Sequence, residues 1–308
     1  MAHPLNRPVA DRGIGRVVDG YGVLQPRVTP ALPLSGRGTL YQRLHSGPAG
    51  IDPYAAAVSD VYQDLFGEGI YTGKGIYELD AFEKALDGVI PDDALLSHDL
   101  FEGLFVRAAL VTDVELFESF PAHYELAASR QHRWARGDWQ LVPWLLPRVK
   151  NASRRRVSNP IPAIGKWKIF DNLRRSLSAP ASFATLVASW ILPGAPASVW
   201  TLAILAALLI PGSFSVLAGI VPGHRGIAKR SFLRGIGRDL AIELGRAGFG
   251  LVVLAHQAWL MGDAILRTIF REGRHETTTH DDRDRSGPGR GGLPGRRVRA
   301  RKVRRFER

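Results

Sequence analysis

The chain has 308 residues, a formal net charge of +12 and no cysteine. Hydrophobic residues make up 45% of it and charged residues 23%, a balance that supports a packed core and excludes disorder throughout. The lack of cysteine excludes disulfide bonds, thiolate zinc sites, iron–sulfur clusters and cysteine nucleophiles.

The positive charge is confined to blocks. Residues 1–147 have a net charge of −7, whereas residues 148–175 have +8 and residues 271–308 have +7. Basic charge indicates nucleic-acid binding when it covers one folded face. Charge in separate blocks along the chain does not meet that condition, so we predict an acidic globular domain over 1–147 and no nucleic-acid partner.

The acidic region contains several segments with the pattern of a strand or a helix. In chain order they are a strand over 17–28, a helix over 51–66 with Asp52 as a possible N-cap, a glycine-broken strand or loop over 70–77, a short helix from Asp80 with Glu83 at capping-box spacing, a loop leading into a helix over 95–109, a strand over 111–116 and a helix within 124–146. Strands that alternate with helices predict an α/β layer structure.

The character of the chain changes after Pro147. A basic juxtamembrane segment, 148–175, is followed by residues 176–223, which contain no charged residue. That run is long enough for a transmembrane hairpin, with spans over 179–192 and 197–221. The alternative is the core hairpin of a soluble protein, but one of these helices has no polar face.

Lys and Arg flank both ends of the uncharged run, so the positive-inside rule places both ends in the cytoplasm. We predict a cytosolic linker over 224–246 and a third membrane helix within 247–270, which either spans or lies in the interface. The tail over 271–308 is rich in Gly, Pro and Arg and is predicted to be disordered. Its Asp282 and Asp284 imitate a metal-binding pair, an interpretation that we do not favour in such a tail.

The strongest local motif is the sequence QHRW, which precedes the basic segment. Trp134 offers a flat face to a sugar ring, Arg133 offers a fork of donors to a pyrophosphate, and Gln131 can form hydrogen bonds without adding charge. Asp138 follows in the same helix. The alternative interpretation is a helix that anchors the chain at the membrane surface through Arg and Trp.

The motif resembles the QxxRW pattern of processive membrane glycosyltransferases. Upstream, His98 and Asp99 lie in the sequence SHD, which resembles the TED motif of those enzymes, and Gly73 and Lys74 lie in a segment that resembles their GT(N/G) loop. The resemblance implies that Asp99 is the general base and that the other residues of these motifs, with Asp138, bind substrate. Asp99 as a helix N-cap is a compatible alternative, and Glu102, Asp113 and Asp138 are alternative bases.

Longer segments resemble cyclic β-1,2-glucan synthases over residues 1–270: GYGVLQPRV, AGIDPY, AVSDVYQDLFGEG, GKGIYELDAFEKAL, LLSHDLFEG, VTDVELFESFPAHY, RQHRWARGDWQLVPWL and QAWLMGDAILRT. The resemblance implies the C-terminal, acceptor-side part of a GT-A domain followed by two to three transmembrane helices in the inner membrane. It also implies UDP-glucose as donor, a glucan acceptor chain, Mg or Mn, and an inverting reaction.

The family's DxD metal motif does not occur in residues 1–270. We therefore expect no metal site in this chain, and we expect the chain to correspond to a piece of a larger synthase, inactive without the donor-binding half. The alternative is a non-catalytic remnant or membrane module.

Overall fold

The computed structural model describes residues 3–11, 13–31, 38–46, 60–90, 95, 99–192, 194, 196–220 and 229–285. The chain divides into two units, Met1–Ile269 and Phe270–Arg308. The first unit holds the three described sheets, the main hydrophobic core and the candidate site. The described part of the second unit is the end of a helix that reaches Arg285.

The first unit begins with three strands, β1 (Val9–Asp11), β2 (Arg16–Asp19) and β3 (Val23–Ala31). The sequence predicts one strand over 17–28. This prediction is wrong, because the segment is divided between β2 and β3. Gly20 adopts a positive φ of 62° at this break, a conformation that glycine allows at little cost.

Two short helices and a strand follow, α1 (Leu40–His45), α2 (Val61–Phe66) and β4 (Ile76–Tyr77). Asp60 caps α2 by accepting hydrogen bonds from the backbone N–H groups of Tyr62 and Gln63. The proposed cap Asp52 lies outside the described residues.

Helix α3 (Leu79–Leu86) begins one residue earlier than predicted. Its N-cap is Glu78, whose carboxylate accepts a hydrogen bond from the backbone N–H of Ala81 at 2.7 Å. The predicted cap, Asp80, instead lies in the first turn, where a negative charge still favours the helix dipole.

Helix α4 (Asp99–Val106) leads directly into β5 (Ala108–Ser119), which is longer than the predicted strand over 111–116. β3 is the central strand of a three-stranded sheet. It pairs antiparallel with β4 and parallel with β5, with Val23 opposite Ala108 at the start of the parallel ladder.

The remaining elements are α5 (Tyr124–Trp139), a short 3₁₀ turn over Val142–Leu145, a hairpin of β6 (Arg148–Lys150) and β7 (Arg156–Ser158), α6 (Ala163–Ile191), α7 (Ala197–Ile220) and α8 (Lys229–Arg285). The predicted helix within 124–146 is confirmed as α5. The basic segment 148–175 contains the β6–β7 hairpin and the first half of α6.

The main core lies between α4, the turn after α5, and α6. Phe101 and Phe105 are almost fully buried and contact the Trp144 ring edge to face, at centroid distances of 4.6 and 5.8 Å. Ile169 and Leu173 of α6 belong to the same buried cluster. The core therefore joins the helix that begins at Asp99 to the helix that leads into the uncharged run.

Among the described residues, one helical stretch, Leu233–Arg271, is long and apolar enough to cross a membrane. Ala197–Ile210 is a shorter apolar stretch. The structure is thus mixed α/β with one candidate membrane helix, while the GT-A architecture and the two to three spans stay predictions. Residues 229–246 of the predicted linker are helical, and α8 continues into the segment for which the composition predicts disorder.

Candidate functional site

The loop between α2 and β4 is anchored to the sheet by Gln25. This side chain is 1% exposed, and its Oε1 accepts hydrogen bonds from the backbone N–H of Thr72 at 2.6 Å and from the Thr72 hydroxyl at 3.0 Å. A buried amide that is hydrogen-bonded in this way fixes the loop at low cost, because its acceptor is satisfied. Gly73 and Lys74 follow immediately.

Gly73 lies directly against the carboxylate of Asp99. Its φ is +86°, and a Cβ placed on it would be 2.6 Å from Asp99 Oδ2 and 2.7 Å from Asp99 Cγ. Any side chain at position 73 would therefore displace the carboxylate. Asp99 opens α4, where the helix dipole favours negative charge.

Tyr71 packs beside the same carboxylate. A Cβ on Gly103 would be 2.7 Å from Tyr71 Cβ, so the tyrosine lies on the second turn of α4. Burial, followed by the negative charges of Glu102 and Asp99, raises the pKa of Tyr71 to about 12. The Tyr71 hydroxyl is consequently neutral at physiological pH and lies within the electrostatic reach of both carboxylates.

Lys74 and the end of β5 carry exposed charges. Lys74 Nζ lies 2.5 Å from Glu118 Oε2, and Arg27 forms an ion pair with Glu115 at 3.0 Å. Both pairs are partly exposed to solvent, so their contribution to stability is small. A phosphate ligand at Lys74 would have to compete with Glu118.

A buried charge cluster centred on Glu68 lies at the start of the loop between α2 and β4. The sequence alone did not predict it. The Glu68 carboxylate is 2.9 Å from Arg16 Nη2, 3.7 Å from Lys168 Nζ and 3.9 Å from Arg107 Nε. Lys168 Nζ also donates to the carbonyl oxygens of Glu68 and Gly69, both at 3.0 Å. Burial lowers the pKa of Lys168, opposed by the charge of Glu68. The cluster therefore ties α6 to the start of the loop between α2 and β4, in which Gly73 lies.

Helix α5 presents the QHRW motif, and two of its residues face α8. Gln131 Oε1 accepts a hydrogen bond from Gln257 Nε2 at 3.3 Å, and His132 Nε2 lies 2.9 Å from Asp263 Oδ2. Arg133 is exposed, and Trp134 is half-buried. The motif therefore has one side against α8 and another that is accessible.

The C-terminal end of α5 contacts α6. Trp139 Nε1 donates a hydrogen bond to Ser176 Oγ at 2.9 Å, and Asn172 Nδ2 lies 3.4 Å from Asp138 Oδ1. These contacts place α5 between α6 and α8. Asp138, one of the alternative bases, thus accepts a hydrogen bond from Asn172 of α6.

The structure brings together Asp99, Gly73 and Tyr71, and it separately places Gln131, Arg133 and Trp134 along α5. The contacts described above hold the Asp99 group and the α5 group separately. Both groups belong to the first unit, which contains the main core. His98 lies outside the described residues. Of the alternative bases, Glu102 lies beside Tyr71, and Asp113 lies on the exposed part of β5.

The described residues do not fit a divalent metal. Among them, no group of three or more His, Asp or Glu side chains could hold an ion, and no DxD motif occurs in residues 1–270. Two carboxylates near one hydroxyl, Asp99 and Glu102 around Tyr71, do not complete a metal coordination sphere.

The fold and the site define a mixed α/β protein with a candidate membrane helix and a carboxylate at a helix start, held against a glycine loop. No family model matches the chain. Over 272 residues, 88% of its length, it is 44% identical to the cyclic beta-(1,2)-glucan synthase NdvB of Rhizobium meliloti (strain 1021). The resemblance inferred from the motifs is confirmed. The chain spans 9% of the length of that relative.

Proposed function

We propose that this chain forms the acceptor-side and membrane part of a β-glucan synthase that transfers glucose from UDP-glucose to a growing β-1,2-glucan. The observation that carries the proposal is the 44% identity to a cyclic beta-(1,2)-glucan synthase. That identity does not favour the alternative of a non-catalytic membrane module. The proposed location is the inner membrane, with several spans and with residues 1–147 in the cytoplasm.

The proposed reaction is an inverting single displacement. A hydroxyl oxygen of the acceptor glucose forms a bond to the anomeric carbon, while the bond from that carbon to the β-phosphate oxygen of UDP breaks and its electron pair leaves with UDP. The acceptor proton passes to the Asp99 carboxylate, which acts as general base. The contact with Gly73 supports this role, since it limits the positions that the carboxylate can occupy.

The exposed residues of the QHRW motif are proposed to bind the substrates. The half-buried Trp134 offers a ring face on which an acceptor glucose can stack. Arg133 is exposed, and its guanidinium can donate to the pyrophosphate or to a sugar hydroxyl. Gln131, His98, Asp138, Gly73 and Lys74 are proposed as further substrate-binding residues. Because the described residues do not fit a metal, no step is assigned to one.

The test is a chimera in which this chain replaces the aligned segment of the Rhizobium meliloti synthase. Asp99→Asn in the chimera should reduce glucan formation from UDP-glucose by roughly 10²–10⁴-fold, because an amide cannot accept the proton. UDP-glucose binding should stay nearly unchanged, since the amide keeps the shape of the carboxylate. Trp134→Ala should instead weaken the binding of an added glucan acceptor.

Asp80→Asn, at an exposed aspartate in the first turn of α3, is the matched control and should retain turnover. Near-normal turnover of Asp99→Asn would contradict the assignment and leave Asp99 as a residue of the helix start. Glu102, Asp113 and Asp138 would then be tested as bases by substitution with the corresponding amide.

A further inference from the structure

Beside an aromatic contact of Tyr124 with Phe249, polar side-chain pairs connect the described parts of α5 and α8. In order along the two helices they are Tyr124 with His256 at 2.6 Å, Gln131 with Gln257 at 3.3 Å, and His132 with Asp263 at 2.9 Å. Ala135 then packs against Met261 and Ala264 in a small buried cluster. The two helices therefore share a contact that runs from Tyr124 to Ala135 along α5 and combines polar pairs with apolar packing.

The polar side chains of α8 lie within Leu233–Arg271, the stretch that is apolar and long enough to cross a membrane. An ionisable residue in such a stretch is costly unless it pairs with another polar group. Asp263 has two partners, because its Oδ2 lies against His132 and its Oδ1 accepts from Arg267 Nε at 2.7 Å. The ionisable group on the candidate membrane helix is thus paired with a residue of the QHRW motif.

The pairs with α8 give the motif two sides. Gln131 and His132 are occupied by α8, whereas Arg133 is exposed and Trp134 is half-buried. A rotation of α5 about its axis would break both pairs with α8 and move the exposed residues together. The contact with α8 therefore helps to set the orientation of Arg133 and Trp134, together with the hydrogen bond from Trp139 to Ser176 of α6.

We infer that Asp263 and Gln257 of α8 are positioning residues for the acceptor-binding helix α5. They hold Gln131 and His132 and thereby aim the Arg133 and Trp134 side chains toward the glucan. The inference rests on the proposed function for its acceptor, while the contact itself is measurable without any activity.

The full chain contains no cysteine, which allows site-specific cross-linking without background. Ala135→Cys combined with Ala264→Cys places one thiol on each helix within the buried cluster. The full chain in lipid vesicles is treated with a short bis-methanethiosulfonate reagent, and the rate of cross-linking is measured. We expect rapid cross-linking in the parent and a rate at least about fivefold lower after Asp263→Ala, because the hydrogen bond to His132 is lost.

Arg267→Ala is the matched control. It removes the other partner of Asp263 but leaves the pair with His132, so the rate should stay within about twofold of the parent. Asp263→Asn keeps an acceptor oxygen for His132 and should restore most of the rate. If Asp263→Ala does not accumulate in membranes, Gln257→Leu, which removes the partner of Gln131, decides the question by the same measurement.

The kinetic readout uses the chimeric synthase. Asp263→Ala should raise the KM for an added β-1,2-glucan acceptor about fivefold with kcat changed less than about twofold, and Asp263→Asn should recover the parental KM. A parent that does not cross-link, or cross-linking unaffected by both Asp263→Ala and Gln257→Leu, would overturn the inference. Normal turnover of Asp99→Asn would instead contradict the proposed function, without bearing on this inference.

Discussion

The surroundings of Asp99 and the contact between α5 and α8 are held together in different ways. Around Asp99, a glycine with positive φ, a buried amide and a buried lysine act on the backbone of one loop. Between α5 and α8, side chains alone form the polar pairs. The first region is fixed by the fold of the domain, and the second depends on the helix that can enter the membrane.

The difference matches the two tasks that we propose. A general base must stay within a fraction of an ångström of its working position. A helix that binds a growing polymer must also release it, and interhelical hydrogen bonds of about 0.6 kcal/mol each are weak enough to exchange. Perturbing the membrane should therefore affect the α5–α8 contact before it affects Asp99.

The largest effect on stability is expected at Lys168, which supports the Asp99 region from α6. Lys168→Met should lower the free energy of unfolding by about 3 kcal/mol, because a buried carboxylate loses one partner and two carbonyl oxygens lose their donor. Chemical unfolding of the chain in detergent micelles measures the change.

Lys166→Met on the same helix is the control for Lys168 and should cost less than about 0.5 kcal/mol. Equal losses for the two variants would show that the Glu68 cluster does not support the loop.

The second prediction compares two glycine variants to separate the cost of backbone strain from the cost of displacing the Asp99 carboxylate. Gly73→Ala and Gly88→Ala each place a Cβ at positive φ, 86° and 70°, but only position 73 has Asp99 in the way. Both should cost about 1–2 kcal/mol of stability. In the chimera, only Gly73→Ala should also reduce glucan formation, by roughly 10- to 100-fold. Equal turnover of the two alanine variants would contradict the proposed role of the Gly73 contact.

A smaller effect is expected where α5 meets α6. Trp139→Phe removes the hydrogen bond to Ser176 and should cost about 1 kcal/mol, measured as a lower midpoint temperature of unfolding. Ser176 Oγ still donates to the carbonyl oxygen of Leu173 at 2.7 Å, which limits the loss. Trp167→Phe on the exposed side of α6 should leave the midpoint unchanged.

The smallest effect on stability at neutral pH is expected from substituting Tyr71. Its folded pKa of about 12 lies above the unfolded value of 10.0, so unfolding favours deprotonation. The stability from the neutral hydroxyl is complete below pH 10 and is lost as the pH rises toward about 12. Comparing the parent with Tyr71→Phe across this window should show a steeper decline for the parent. Parallel pH profiles would mean that the hydroxyl is not buried beside the two carboxylates.

The parts of the fold that depend on local sequence could be predicted. The helical pattern around the QHRW motif predicts α5, and the motifs single out Gly73 and Asp99, which the structure brings into contact. The Glu68 cluster could not be predicted, because its partners lie far apart in the chain and charged residues are usually solvated. The same holds for the pairs between α5 and α8, which depend on how the two helices pack.

Two errors have local physical causes. The pattern over 17–28 looks continuous because apolar residues recur in both strands, yet Gly20 and Gly22 between them allow the chain to turn. At α3, Glu78 and Asp80 can both accept from a backbone N–H, and only the position of the helix start decides between them.

The parallel pairing of β3 with β5 has a consequence for the order of events during synthesis. β3 is complete at Ala31, but its parallel partner ends at Ser119, and α1, α2, β4, α3 and α4 lie between them in the chain. Contacts this distant in sequence form slowly, because a large loop must close first. The ribosome must therefore release the chain through Ser119 before the sheet can close, and α6 to α8 emerge only afterwards. The growing chain carries an unpaired strand edge for that interval, which makes this stage the one most exposed to misassembly.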